Sequence, residues 1–155
     1  MSEADQTPTS RLRCSEIMTR NVKTAAAGSS LRDVAAIMRD GDMGAVPVVD
    51  GTKLIGIVTD RDIVVRGIAE GASPETPVSD IMTRELFSVR PDDFVFEAIR
   101  LMGDKQVRRL PVIDPNGELQ GIIAMADVAL ETEDEREIAE TLEEISSGSS
   151  FWSKS

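Results

Sequence analysis

Gly56-Ile57-Val58-Thr59-Asp60-Arg61-Asp62 ends an apolar run that begins at Leu54, and it ends it abruptly in a hydroxyl and three charged side chains. The stretch reads as a strand feeding a helix. The first backbone N–H groups of such a helix have no intrahelical acceptor and sit at the positive end of its dipole, where an anion such as phosphate can bind. Thr59 adds a hydroxyl there. Asp62, three residues on and on the same face, offers a carboxylate to a neighbouring pair of hydroxyls. A phosphate beside a diol is the outline of a nucleotide. The same spacing is also a capping box, in which Thr59 and Asp62 satisfy orphan donors of their own helix. From these seven residues alone, both readings stand.

Self-similarity supplies the context. Ser15-Glu16-Ile17-Met18-Thr19-Arg20 returns sixty-four positions later as Ser79-Asp80-Ile81-Met82-Thr83-Arg84. The same offset carries Met38 to Met102, Pro47 to Pro111 and Asp50 to Asp114. One added residue in the second turn then relates Gly56 to Gly121 and Asp62 to Asp127. In each copy an extended piece (22–25; 86–90) precedes a helix with apolar residues at Leu31, Val34, Ala35 and Met38, or at Val95, Ala98, Ile99 and Met102. Ser30 with Asp33 marks the first helix start, and Gly41 is expected to cap its end. Two strands in hairpin order follow, 45–49 and 54–58 through Asp50-Gly51, and 110–113 and 119–123 through Asp114-Pro115-Asn116-Gly117. A second helix closes each unit, from Asp60 and from Met125. The expected order is β-α-β-β-α, twice. Each unit covers only one side of its sheet, so pairing of the two copies, with clefts between them, is expected. The methionines at repeat positions (Met18, Met38, Met82 and Met102) fit the core.

Composition excludes several classes. With no His, no Tyr and one Cys, the usual general bases and nucleophile pairs are missing, so an enzyme is not expected and no catalytic residue is assigned. Metal sites built on His or Cys are excluded as well. Cys14 cannot form an internal bridge and residues 1–10 lack an apolar signal core, which points to the cytoplasm. No apolar run is long enough for a membrane span. The net charge of −11 opposes nucleic acid and anionic lipid.

The openings SEIMTR and SDIMTR, the hairpins AVPVVD and LPVIDPNG, and the junction GIVTDRD together resemble tandem CBS domains, the Bateman module, over residues 13–130. The segment TDRDIVVRGIAEG is further similar to bacterial stand-alone CBS-pair proteins of the hypoxic response protein type. The resemblance implies an α/β (α+β) fold of two β-α-β-β-α repeats about a pseudo-twofold axis, covering 13–72 and 77–130. It also implies a regulatory ligand containing adenosine (AMP, ADP, ATP, an NAD species or S-adenosylmethionine), with no cofactor required, and assembly as a homodimer. In such modules the ribose lies on the junction Asp and the phosphate on its Thr, matching Asp62 and Thr59. Adenine then lies against Thr24, Ala25, Ala45, Val46 and Pro47. Pro47 also has a purely structural reading as a proline at a strand edge. Arg61 either turns to the phosphate or offsets Asp60 and Asp62. In the second copy the junction reads Gly121-Ile122-Ile123-Ala124-Met125-Ala126-Asp127, so Asp127 keeps the ribose role and Ala124 has no hydroxyl. Arg108 and Arg109, before Leu110-Pro111, either supply the missing phosphate contact or are ordinary solvated charges.

At the ends, residues 1–12 are expected to be disordered. Residues 131–144 hold eight acidic side chains and one Arg, and Ile138, Leu142 and Ile145 give this acidic segment (131–145) an apolar helical stripe. Residues 146–155 read as a flexible tail carrying Phe151 and Trp152. Two functions follow. One is a nucleotide-binding regulatory module that signals to a partner protein. The other is a ligand-independent interaction module acting through the acidic helix.

Overall fold

A computed structural model describes residues 11–131. The acidic segment beyond Glu131, the tail and residues 1–10 lie outside the described residues. In chain order the elements are α1 (Cys14–Ile17), β1 (Ala25–Ala26), α2 (Leu31–Gly41), β2 (Ala45–Asp50), β3 (Lys53–Thr59), α3 (Asp60–Asp62), α4 (Val95–Lys105), β4 (Arg109–Ile113), β5 (Leu119–Ala124) and α5 (Met125–Glu131). The α3 turn runs on as a π-helical turn (Ile63–Gly67) and a 3-10 turn (Ile68–Glu70). A further 3-10 turn spans Val78–Asp80. No helix among the described residues is long and apolar enough to cross a membrane.

Ser30 starts α2 as expected. Its Oγ accepts from the Asp33 N–H at 3.1 Å, which removes one orphan donor of the first turn. Leu31, Val34 and Met38 are buried along one face, while Ala35 is exposed at its margin. The end of α2 differs from the expectation at Gly41. The left-handed residue is Asp42 (φ 52°), and the Met43 N–H reaches back to the Met38 carbonyl at 3.0 Å, a Schellman ending. Gly41 serves space instead: a Cβ there would lie 2.9 Å from Met43 Sδ. Gln106 (φ 59°) closes α4 in the same way.

β2 lies at the centre of a three-stranded sheet, parallel to β1 and antiparallel to β3. The hairpin turn is Gly51-Thr52, with Gly51 at φ 66°, matching the twist of the strands it joins. The edge reading of Pro47 is therefore corrected, since its strand is central. Ile57, opposite Pro47, spends its own N–H and carbonyl on Thr83. The missing N–H of Pro47 thus faces the β1 side, where pairing begins only at Val48 with Ala25. The extended pieces are shorter than expected: β1 holds two residues, and in the second copy a single parallel bridge joins Val89 to Val112. β4 and β5 form a two-stranded sheet.

The chain divides into two compact units, and these do not follow the sequence repeats. Of the described residues, one unit holds Val22–Leu86 with Asn116–Leu119, and the other holds 11–21, Phe87–Pro115 and 120–131. Each repeat's opening segment therefore completes the fold of the other repeat. In the 22–86 unit, Val78 (0% exposed), Ile81 and Met82 from the second opening join the core of Val34, Val46, Val48 and Val58. The Leu31 and Arg32 N–H groups at the start of α2 donate to the Thr76 and Pro74 carbonyls, both at 3.0 Å. In the other unit, Cys14 and Met18 of the first opening join Ala98, Met102, Val112, Ile123 and Val128. The Val95 N–H donates to the Leu12 carbonyl at 2.8 Å. Cys14 stands sixty-four residues before Val78 and fills the same place in its own core, as a small apolar side chain does.

A glycine in each hairpin admits the opening segment. The Thr83 N–H donates to the Ile57 carbonyl at 2.8 Å, and the Thr19 N–H donates to the Ile122 carbonyl at 2.8 Å. A Cβ on Gly56 would lie 2.6 Å from Met82 Sδ and 3.0 Å from the Thr83 carbonyl oxygen. On Gly121 it would lie 2.5 Å from the Thr19 carbonyl oxygen. Backbone cannot swing aside as a side chain does, so Gly121→Ala is expected to cost about 1–3 kcal/mol or more. A urea titration checks this, and an unchanged midpoint would contradict the packing described.

Candidate functional site

The β3-to-α3 junction forms the complete reciprocal cap that its spacing allowed. The Asp62 N–H donates to Thr59 Oγ1 and the Thr59 N–H donates to Asp62 Oδ2, each at 3.0 Å. The structural reading of Thr59 and Asp62 is thus realised. It does not exhaust their chemistry. An ionised carboxylate has about four lone-pair sites, and the Thr59 hydroxyl still has a proton to donate. Asp62 Oδ2 also receives the Thr83 hydroxyl at 3.5 Å, and among the described residues Oδ1 has the Arg66 guanidinium at 3.9 Å. Both Thr59 and Asp62 are partly exposed.

Around this junction the same unit assembles the other expected residues. Ala45 lies opposite Thr59, Val46 opposite Val58 and Pro47 opposite Ile57. Ala25 pairs with Val48 in the parallel ladder, and Thr24 directly precedes it. Val46, Pro47 and Ala25 are buried, whereas Thr24 and Ala45 are partly exposed. Arg61 is exposed, and its N–H donates to Asp60 Oδ1 at 2.8 Å; its side chain makes no ion pair among the described residues. The Asp60 N–H donates to the Gly44 carbonyl at 2.9 Å, which ties the start of β2 to the start of α3. Thr83 and Arg66 were missed by the sequence reading. Arg66 had a signal, the i, i+4 spacing from Asp62. Thr83 had only its recurrence in the repeat.

The second junction, in the other unit, keeps half of the arrangement. The Ala124 N–H donates to Asp127 Oδ2 at 3.1 Å, with no hydroxyl to answer it. The Met125 N–H donates to the Arg108 carbonyl at 2.8 Å, the counterpart of the bond from Asp60 to Gly44. Leu110 and Pro111 are buried, Asp127 is partly exposed, and Arg108 and Arg109 are exposed. Neither arginine has an ion-pair partner among the described residues.

The family model described as CBS domain matches residues 14–67 and 78–134. Among curated relatives, the CBS domain-containing protein YhcV of Bacillus subtilis is 40% identical over 115 residues, 74% of this chain and 81% of that protein. Hypoxic response protein 1 of Mycobacterium tuberculosis is 36% identical over 116 residues, 74% of this chain and 80% of that protein. Among solved structures, Hypoxic Response Protein I with two coordinated zinc ions superposes with a TM-score of 0.71 at 34% identity, covering 77% of this chain and 98% of that one. CBSX2 in complex with AMP gives 0.69 at 26%, covering 77% and 94%. The CBS domain pair of protein MJ0100 in complex with 5′-methylthioadenosine and S-adenosyl-L-methionine gives 0.67 at 25%, covering 76% and 93%.

The described residues offer no zinc site. The chain has no histidine, and no group of three Cys, Asp or Glu among the described residues could hold a metal ion. The one thiol, Cys14, is fully buried, and burial reinforced by the Asp93 and Glu97 charges pushes its pKa from 9.0 up to about 12. A raised pKa means that the folded state holds the proton longer than the unfolded state. The thiol's contribution to stability is therefore complete below pH 9.0 and is lost as pH climbs through about 12. Iodoacetamide at pH 8 is expected to leave Cys14 unmodified in the native protein and to alkylate it readily in urea. Rapid labelling of the native protein, read by mass spectrometry, would show the thiol to be accessible.

Proposed function

Because the chain belongs to the CBS-domain family, we propose that it is a regulatory CBS pair that binds an adenosine-containing ligand at its strand-to-helix junctions and passes its occupancy to a partner protein. One observation carries the reading. CBS pairs superposable on this chain hold AMP, or 5′-methylthioadenosine and S-adenosylmethionine, and this chain keeps a partly exposed carboxylate one turn into each junction, Asp62 and Asp127. In the first junction, Asp62 takes the ribose diol through the acceptor capacity its cap leaves over. Thr59 meets the 5′ end, and Thr24, Ala25, Ala45, Val46 and Pro47 line the base. The second junction works through Asp127. No residue is assigned a catalytic role.

A second reading is favoured by the closed cap itself. Thr59 and Asp62 already have partners in their own backbone, which suits the alternative, a ligand-independent interaction module acting through the acidic segment beyond Glu131. A thermal-shift panel of AMP, ATP, NADH and S-adenosylmethionine against GMP separates the two. A ligand that binds only the native state at a hundredfold excess over its Kd adds about 2.7 kcal/mol, or about 5–10 °C in Tm for a chain of this size. Calorimetry on folded Asp62→Ala is expected to show binding weakened about ten- to a hundredfold through loss of a charge-assisted contact. No shift with any adenosine compound leaves the ligand-free module as the reading.

The proposal includes a homodimer. Val64, Val65 and Ile68, on the helical turns that follow Asp62, are 54%, 46% and 67% exposed. Three apolar side chains within five positions form a surface that a second copy would cover. Ile68→Glu is expected to shift sedimentation toward the monomer without lowering Tm by more than a few degrees. An unchanged dimer would place the contact elsewhere.

A further inference from the structure

Helix α5 packs against α1 and α4. Its Met125 and Val128 are buried, while Ala126, Ala129 and Leu130 are exposed, Leu130 at 82%. These three stand at i, i+3 and i+4 and so form one apolar face, which nothing among the described residues covers. The chain that follows carries Ile138, Leu142 and Ile145 at spacings of four and three, a stripe that needs an apolar surface of its own. The path taken by the first copy is closed to it. After Glu70 the first copy's chain returns to the start of α2, where the Thr76 and Pro74 carbonyls receive the Leu31 and Arg32 N–H groups, both at 3.0 Å. The corresponding place at the start of α4 is already held by the N-terminal opening, whose Leu12 carbonyl receives the Val95 N–H at 2.8 Å. Charge narrows the choice further. The Met125 N–H donates to the Arg108 carbonyl at 2.8 Å, which sets the exposed Arg108 and Arg109 beside the first turn of α5. Residues 132–145 hold seven acidic side chains and one Arg, with Glu143 and Glu144 near the far end.

We propose that the bare face of α5 is a docking surface for this chain's own acidic segment, residues 138–145 folding back antiparallel along α5. Ile138 and Leu142 then lie over Leu130 and Ala126, and Glu143 and Glu144 reach Arg108 and Arg109. The lengths agree, since eight residues in a helix span about 12 Å and the seven of α5 about 10 Å. Residues 132–137 are all polar, and six residues readily join helices packed roughly 8–10 Å apart. In an antiparallel return, positions four apart on one helix meet positions four apart on the other, which pairs Leu130 with Ile138 and Ala126 with Leu142. The same direction carries the acidic end of the segment to the start of α5, where the two arginines attract it. A straight continuation of α5 carries that end away from them. The inference is independent of adenosine binding.

Hydrogen exchange on the full chain tests the docking. The amides of 138–145 are expected to exchange at least about tenfold more slowly than those of an unstructured chain, and Leu130→Glu should remove that protection. Leu130 is exposed, so the fold should survive the change. Arg108→Glu/Arg109→Glu is expected to weaken the protection several-fold, and adding Glu143→Arg/Glu144→Arg to restore it. Protection that Leu130→Glu leaves unchanged, or a charge reversal without rescue, overturns the proposal. A second copy is the competing occupant, and Ala126→Cys/Leu142→Cys under mild oxidation distinguishes it, with Cys14 buried and taking no part. The expected product is a disulfide within one chain, read by mass spectrometry and a non-reducing gel. A bridge between two chains gives the face to a second copy and overturns the proposal.

Discussion

Everything in the two units depends on a backbone-to-backbone approach that only glycine permits. Thr83 pairs with Ile57 beside Gly56, and Thr19 pairs with Ile122 beside Gly121. These pairings bring Met82 and Met18 down onto the hairpin, and they seat Val78 and Cys14 in cores to which they are distant in sequence. The same segments supply carbonyls to the first turns of α2 and α4, whose N–H groups would otherwise be orphaned. One contact thus closes a sheet edge, a core and a helix start together. It also fixes the strand-to-helix junctions, since β3 and β5 are the strands it touches.

At the junction, the structural role of Thr59 and Asp62 and the role proposed for them fall on the same atoms. A carboxylate that caps its own helix is held in a single orientation, with Thr59, Thr83 and Arg66 around it. A ligand hydroxyl binding there as proposed would meet a pre-positioned acceptor and would not need to order a loose side chain. The cap and the proposed ligand contact would therefore not compete for the residue, only for lone pairs, of which an ionised carboxylate has about four. Charge also separates the two copies: the bond from Asp60 to Gly44 recurs from Met125 to Arg108, while Arg108 and Arg109 stand where Gly44 and Ala45 do.

Much of this was legible in the sequence. The 64-residue offset, the helix faces of Leu31, Val34 and Met38 and of Val95 to Met102, both hairpins and the Thr59–Asp62 cap follow from spacing and turn chemistry. Tertiary demands escaped it. Gly41 looked like a cap, but it makes room for Met43, and the left-handed turn fell to Asp42. Pro47 looked like an edge proline, yet it lies in the central strand, because strand pairing on one side starts a residue later. Above all, nothing local reveals that SEIMTR belongs to the second core and SDIMTR to the first. Repetition shows that two segments are alike, and it is silent on which partner each chooses.

That choice of partner bears on how such a chain can change over generations. Two beads on a string can drift apart after a gene doubles, each tuning its own interior. Here a methionine in one copy abuts a glycine in the other, so an altered opening is tested against the opposite sheet. The two halves inherit as one unit, and their freedom to diverge is left to surfaces such as the approach held by Gly44 on one side and Arg108 on the other.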